Sequence, residues 1–147
     1  MKTLIAYYSL GGGTRALCES LQTANTDLYE IKETKKRSKF GAFTGGCFKA
    51  LSKKPSSILP VKLDLSDYNL IILASPIWAG NVAPAITAFL DGCMVSEKKI
   101  VGIAVSGSGK DYTEAFKERI LNFGAKCANI YNTKASGELV IAELKNN

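Results

Sequence analysis

Two short runs of this 147-residue chain combine residue types suited to gripping an anion and a flat ring. The first is Ser9-Leu10-Gly11-Gly12-Gly13-Thr14, which follows the apolar run Thr3-Leu4-Ile5-Ala6-Tyr7-Tyr8. That apolar run reads as a buried strand, and a helical pattern opens at Thr14. A strand that turns through glycines into a helix leaves backbone N–H groups unpaired at a positive dipole end, which is a phosphate site. The second run is Ser75-Pro76-Ile77-Trp78-Ala79-Gly80-Asn81. It follows Leu70-Ile71-Ile72-Leu73-Ala74 and carries the only tryptophan. In an open parallel sheet, strand ends on one edge line a single crevice, so the two runs can share one ligand. A phosphate grip beside an indole points to a phosphorylated planar cofactor.

The chain contains no histidine. A Ser-His-Asp triad, a His-paired cysteine and imidazole zinc sites are therefore excluded, and any chemistry falls to a cofactor. No side chain is expected to act as nucleophile or acid–base, and no metal site is expected. The four cysteines, at 18, 47, 93 and 127, form no CxxC pair and read as reduced, packed thiols. The apolar stretches are strand-sized and the N-terminus lacks a signal-peptide pattern, so the expectation is a cytoplasmic protein without a membrane span. Charge is uneven. From Lys32 to Lys62 there are nine Lys or Arg and one acid, Glu33, a net +8, against +6 for the whole chain.

Strand and helix signals alternate along a length that suits one domain, 1–147. Strands are expected near 3–8, 27–31, 69–74, 100–105 and 127–131. Helices are expected from Gly13 to Ala24, from about Ala83 to Leu90 and over 111–123. This alternation predicts right-handed crossovers and a three-layer α/β fold around a five-stranded parallel sheet of order 2-1-3-4-5. The stretch 33–66 is too long for a plain connection. Phe43, Cys47, Phe48 and Leu51 share one helical face there, which predicts a short amphipathic helix. After the fifth strand about a dozen residues remain, so a final helix should be short or absent.

Taken together these residues resemble the flavodoxin family, over roughly residues 1–131. The resemblance implies bound flavin mononucleotide (FMN), with Ser9 to Thr14 in place of the family's phosphate loop of the form S/T-x-T-G-x-T. The outer hydroxyls and Gly12 match. Gly11 stands where a phosphate-binding threonine is usual, and Gly13 where a larger residue is common. Loss of one hydrogen bond to a charged group is worth roughly 1.5–3 kcal/mol, so weakened FMN retention is implied. The run from Ser75 to Asn81 stands where the family contacts the isoalloxazine ring, with Trp78 on or beside it. Ser106-Gly107-Ser108-Gly109 matches the third flavin-contacting loop loosely. It lacks the usual aromatic residue unless Tyr112 folds back.

The implied function is electron transfer through FMN. The positive segment is expected to raise the potential of a bound flavin. Two alternatives stay open: an NAD(P)H-dependent FMN or quinone reductase, and a binding module that kept the fold but lost the flavin. A dinucleotide site needs G-x-G-x-x-G, which Gly11-Gly12-Gly13-Thr14 does not supply, although Glu30 could imitate its ribose-binding acid. The basic segment suits an acidic redox partner better than nucleic acid, because Phe40, Phe43 and Phe48 fit a helix face rather than a stacking platform. A missing final helix would expose part of one sheet face, which predicts a homodimer.

Overall fold

The computed structural model describes residues 2–41 and 45–133. The chain runs through β1 (Thr3–Tyr7), α1 (Gly13–Ser20), β2 (Thr26–Glu30), α2 (Lys39–Gly41), α3 (Cys47–Leu51), β3 (Leu70–Trp78), β4 (Asn81–Val82), α4 (Pro84–Gly92), β5 (Lys99–Val105), α5 (Thr113–Asn122) and β6 (Lys126–Thr133). The long strands are all parallel and lie in the order β2-β1-β3-β5-β6. This is the expected doubly wound α/β arrangement. The sheet has six strands rather than five, because β4 pairs antiparallel with the end of β3.

The period-2 alternation of β1 and β3 divides the interior into two layers. Leu4, Ala6, Ile71 and Leu73 face one side, where Ile86, Phe89 and Leu90 of α4 and Phe116 and Ile120 of α5 close over them. Ile5, Tyr7, Ile72 and Ala74 face the other, against Leu17 and Cys18 of α1 and Leu21 just beyond it. The central strands are apolar on both faces, as a parallel sheet covered by helices requires. At eight residues α1 is too short to hold its shape alone. Burial of Leu17 and Leu21, worth about 1.5–3 kcal/mol each, keeps it in place.

Several expected boundaries move for identifiable reasons. The first helix stops at Ser20 instead of Ala24, and Ala24 is exposed. A reciprocal turn takes over, in which Thr23 N–H donates to Thr26 Oγ1 at 2.7 Å and that hydroxyl donates to the Thr23 carbonyl at 2.9 Å. In the long connection, α3 buries Ala50 while Leu51 is 64% exposed, so Leu51 does not lie on the buried face expected of it. Phe43 lies outside the described residues. The expectations for residues 134–147, a short or absent final helix and the homodimer argued from it, also lie outside them. All four cysteines are free, and burial pushes the Cys18 thiol up to about 12 and the Cys93 thiol up to about 11. Neither is a nucleophile at neutral pH. No helix among the described residues is long and apolar enough to cross a membrane. No group of acids and cysteines among them could hold a metal.

Gly102 marks where β5 is most tightly enclosed. A Cβ there would lie 2.5 Å from Ile130 Cδ1 and 3.2 Å from the Phe116 ring. The tip of Ile130 can swing away, but Phe116 is fully buried and cannot. Gly102→Ala is therefore expected to destabilise the fold by about 1–3 kcal/mol, read as a lower urea midpoint with an unchanged m-value.

Candidate functional site

The rim of the site is built by a strand that outlasts its neighbour. Tyr7, the last residue of β1, pairs with Ala74, whereas β3 runs on to Trp78. Proline is tolerated at 76 for a geometric reason. The Ala74 carbonyl accepts from Tyr8 N–H on the β1 side, and two residues later the backbone again faces that side. There β1 has ended, so the missing N–H of Pro76 costs the ladder nothing. Ser75 is fully buried. Its hydroxyl donates to the Pro76 carbonyl at 2.8 Å and accepts from Ala83 N–H at 2.9 Å. Both capacities are used inside the fold, so Ser75 shapes the loop and does not reach a ligand through its side chain.

Beyond Ser75 the strand folds back through a two-residue hairpin, with Ile77 opposite Val82 and Trp78 opposite Asn81. Ala79 (φ 48°) and Gly80 (φ 78°) take the left-handed conformations that such a turn requires. Asn81 Nδ2 donates to the Ala79 carbonyl at 3.2 Å. The hairpin carries Trp78 to Tyr8, ring to ring at 5.7 Å and 84°, an edge-to-face contact. Tyr8 immediately precedes Ser9, so the indole and the glycine loop stand side by side.

The glycine loop is held open by its own first residue. Ser9 Oγ accepts from Gly12 N–H at 3.1 Å and from Arg15 N–H at 3.2 Å. The hydroxyl proton remains available to a further acceptor. Gly12, at φ 93°, is the left-handed residue that precedes α1, and Leu10 packs against the core. The amides of Gly11, Gly13 and Thr14 take no acceptor among the described residues. A Cβ at Gly11, Gly12 or Gly13 would meet nothing within 4 Å, so internal packing does not explain the glycines. Thr14 is buried beneath the loop. Arg15 turns away and pairs with Glu30 at the end of β2. Glu30, also 3.8 Å from Lys32, is thereby taken out of the role of a ribose-binding acid.

The loop after β5 closes the opposite side. Ser106 Oγ and Ser108 Oγ are 3.0 Å apart, and Ser108 Oγ is 3.0 Å from the Tyr112 hydroxyl. Gly107 is open and Gly109 is left-handed at φ 72°. Tyr112 does fold back: a Cβ on Gly80 would lie 4.0 Å from its ring. Asp111 anchors this loop to β6, accepting at Oδ1 from Asn132 Nδ2 at 2.8 Å and from Thr113 N–H at 2.8 Å. Those hydrogen bonds, the Thr113 amide first, hold its carboxyl below the usual range.

The basic segment contributes a group that sequence reasoning did not single out. Arg37 Cζ lies 5.7 Å from the centre of the Trp78 ring, within cation–π range. Its guanidinium is fixed by Glu33, with Nη2 donating to Oε1 at 2.7 Å and Nε to Oε2 at 3.1 Å. Tyr8 Oη donates to the same Oε2 at 2.9 Å. Gly46 has no side chain because a Cβ would fall 2.9 Å from Trp78 Cζ3. The indole is thus held by Tyr8, Arg37 and Gly46. Burial pushes the Glu33 carboxyl up, but contacts from Arg37, Ser56 and Tyr8 outweigh it and leave it lowered. Burial and then the Glu33 charge push the Tyr8 phenol above its ordinary range. One signal for this cluster was present in the sequence: Glu33 is the only acid of the segment and stands four residues before Arg37.

Comparison with solved structures gives the fold class. A flavoprotein from Lactobacillus acidophilus, crystallised in complex with FMN, superposes with a TM-score of 0.76 at 21% identity, covering 94% of this chain and 97% of its own. A Bacteroides uniformis protein assigned as a flavoprotein gives 0.82 at 26% identity, covering 98% and 97%. The oxidised flavodoxin 2 of Bacillus cereus gives 0.54 at 17% identity, covering 99% and 94%. No protein-family model matches the chain, and no curated protein matches its sequence. The fold is flavodoxin-like.

The Glu33–Arg37 pair is mostly buried, its side chains 6% and 15% exposed. Removing the carboxylate leaves a guanidinium that can only partly turn to water, so Glu33→Gln is expected to cost on the order of 2–3 kcal/mol at pH 7. The folded carboxyl titrates below its ordinary value of 4.5. Its contribution is therefore complete above that value and is lost as pH falls through the lowered one. Urea denaturation from pH 7 downward should show the gap between wild type and Glu33→Gln closing only below about pH 5.

Proposed function

We propose that the chain binds FMN at the carboxyl edge of the sheet and works in electron transfer. The observation that carries this reading is the set of unpaired amides at Gly11, Gly13 and Thr14, in an open loop one residue from the Tyr8–Trp78 contact. Amides converging at a helix start, with no internal use for the glycines, suit a phosphate. That the Lactobacillus acidophilus structure contains FMN on the same fold supports the identity of the group. When bound, FMN supplies the exchange of one or two electrons.

The protein's own residues bind and orient. Ser9 would offer its hydroxyl proton to the phosphate, and the amides of Gly11, Gly13 and Thr14 would face it. Arg37 comes from the segment after β2 and covers the indole, whereas the Ser106–Gly109 loop and Tyr112 come from the β5 side. The ring would be held between Trp78 and that loop, with Ala79, Gly80 and Asn81 offering polar groups to it and Pro76 and Ile77 shaping the turn. Arg37 carries little net field there, because Glu33 neutralises it. Lys32, Lys35, Lys36, Lys49, Lys53, Lys54 and Lys62 of the basic segment are exposed, so their effect on the potential should fade with salt.

With no histidine in the chain, we read it as a carrier rather than a self-contained enzyme. Turnover of NAD(P)H by the FMN-loaded protein would reverse that ranking.

Titration of FMN with the apo-protein should quench flavin fluorescence at one equivalent, together with Trp78 emission. Absence of quenching would leave the flavin-free binding module as the better reading. Gly11 can accept a side chain, since its backbone is not left-handed and its Cβ space is empty. Gly11→Thr is expected to tighten FMN by tenfold or more, the effect of one hydrogen bond to a charged group.

A further inference from the structure

Behind Arg37, a cavity of about 480 Å³ opens between the start of the basic segment and the strip that returns through Ser56 and Ser57. Its wall carries Lys35, Lys36 and Lys49, all exposed and without an ion-pair partner among the described residues. Glu33 is the one carboxylate in the lining, and it is already held by two Arg37 nitrogens and the Tyr8 hydroxyl. Among the described residues, no free carboxylate in the lining compensates these three lysines. Ser56 Oγ lies on the same wall, buried beside Glu33: it is close enough to help lower that carboxyl, and no hydrogen bond of good geometry satisfies it among the described residues.

We propose that this cavity is a second anion site, which takes the phosphomonoester of a small molecule. Like charges on a concave wall focus the field, and ammonium groups suit a compact dianion. The volume is that of a small-ligand pocket. No aromatic side chain lines it among the described residues, so it offers no stacking platform for a nucleic acid. Arg37 is shared by the cavity wall and the indole, so an anion on one side of the guanidinium is felt at Trp78 on the other. The ligand's consequence for a redox centre rests on the flavin reading, whereas its binding does not. Under that reading, a phosphorylated co-substrate seated here would be held next to the flavin.

The full chain without FMN is titrated by calorimetry with inorganic phosphate, adenosine 5′-monophosphate and adenosine. Emission of Trp78, the only tryptophan, is a parallel readout. Saturable binding of the phosphorylated probes, with adenosine silent, supports the site. Tighter binding of the nucleotide than of phosphate assigns it to a phosphate ester, and equal binding assigns it to free phosphate. Lys35→Gln/Lys36→Gln/Lys49→Gln should weaken binding at least tenfold. Lys54→Gln/Lys62→Gln, in the same basic segment but outside the cavity, should change it less than twofold. Equal losses in both variants would mean diffuse charge and overturn the proposal, as would binding of no probe. The phosphate titration is repeated on protein loaded with FMN. Retention of FMN supports two sites, whereas its displacement would make the cavity part of the FMN site and overturn the second. Failure of FMN to bind at all would defeat the flavin reading and leave the phosphate result standing.

Discussion

The architecture of the rim depends on β3 continuing four residues beyond its last pairing with β1. A central strand that outruns its neighbour exposes backbone groups that must be satisfied. Here Pro76 has no N–H to satisfy, and the buried Ser75 hydroxyl takes the Pro76 carbonyl. The same oxygen receives the Ala83 amide and so fixes where the chain leaves the hairpin and enters α4. One serine thereby holds both ends of the segment that presents Trp78. Without this clamp, the tryptophan would have no defined position relative to the glycine loop.

From that projection the rest of the site follows by contact. Trp78 meets Tyr8 edge-on, Tyr8 donates to Glu33, and Glu33 fixes Arg37, which returns to the indole. The chain of contacts closes on itself and links the end of β1 to the basic connection. A segment carrying a net +8 would otherwise have little reason to lie against the sheet edge. Its single acid, buried and paired, gives it one. Charge balance is local as a result: the Glu33–Arg37 pair cancels close to the indole, while the lysines keep their charge at the surface.

Much of the fold was legible because periodicity reports burial directly. The fully apolar runs of β1, β3 and β5 announce strands covered on both faces, and the glycine and proline positions mark where helices begin and end. Errors arose where a local rule met a tertiary contact. The pattern of Phe43, Cys47, Phe48 and Leu51 predicts a short amphipathic helix, and α3 is one, of five residues, but it buries the small Ala50 and leaves Leu51 exposed. The third strand is expected over 69–74, with a loop from Ser75 that contains Pro76. The strand continues because that proline faces a side with no partner.

The amino-acid order by itself determined the sheet's composition, the position of the glycine loop at the first strand end and the lack of any histidine chemistry, since these depend on residue type and spacing alone. Ser75 opens the run expected to flank a ring, and only the folded chain turns its hydroxyl inward to the Pro76 carbonyl and the Ala83 amide. The meeting of Arg37 with Trp78, the return of Tyr112 towards Gly80 and the basic cavity were likewise decided by tertiary structure. Each joins residues about 20 or more positions apart in the chain, where no periodicity carries information and only packing selects which side chains meet.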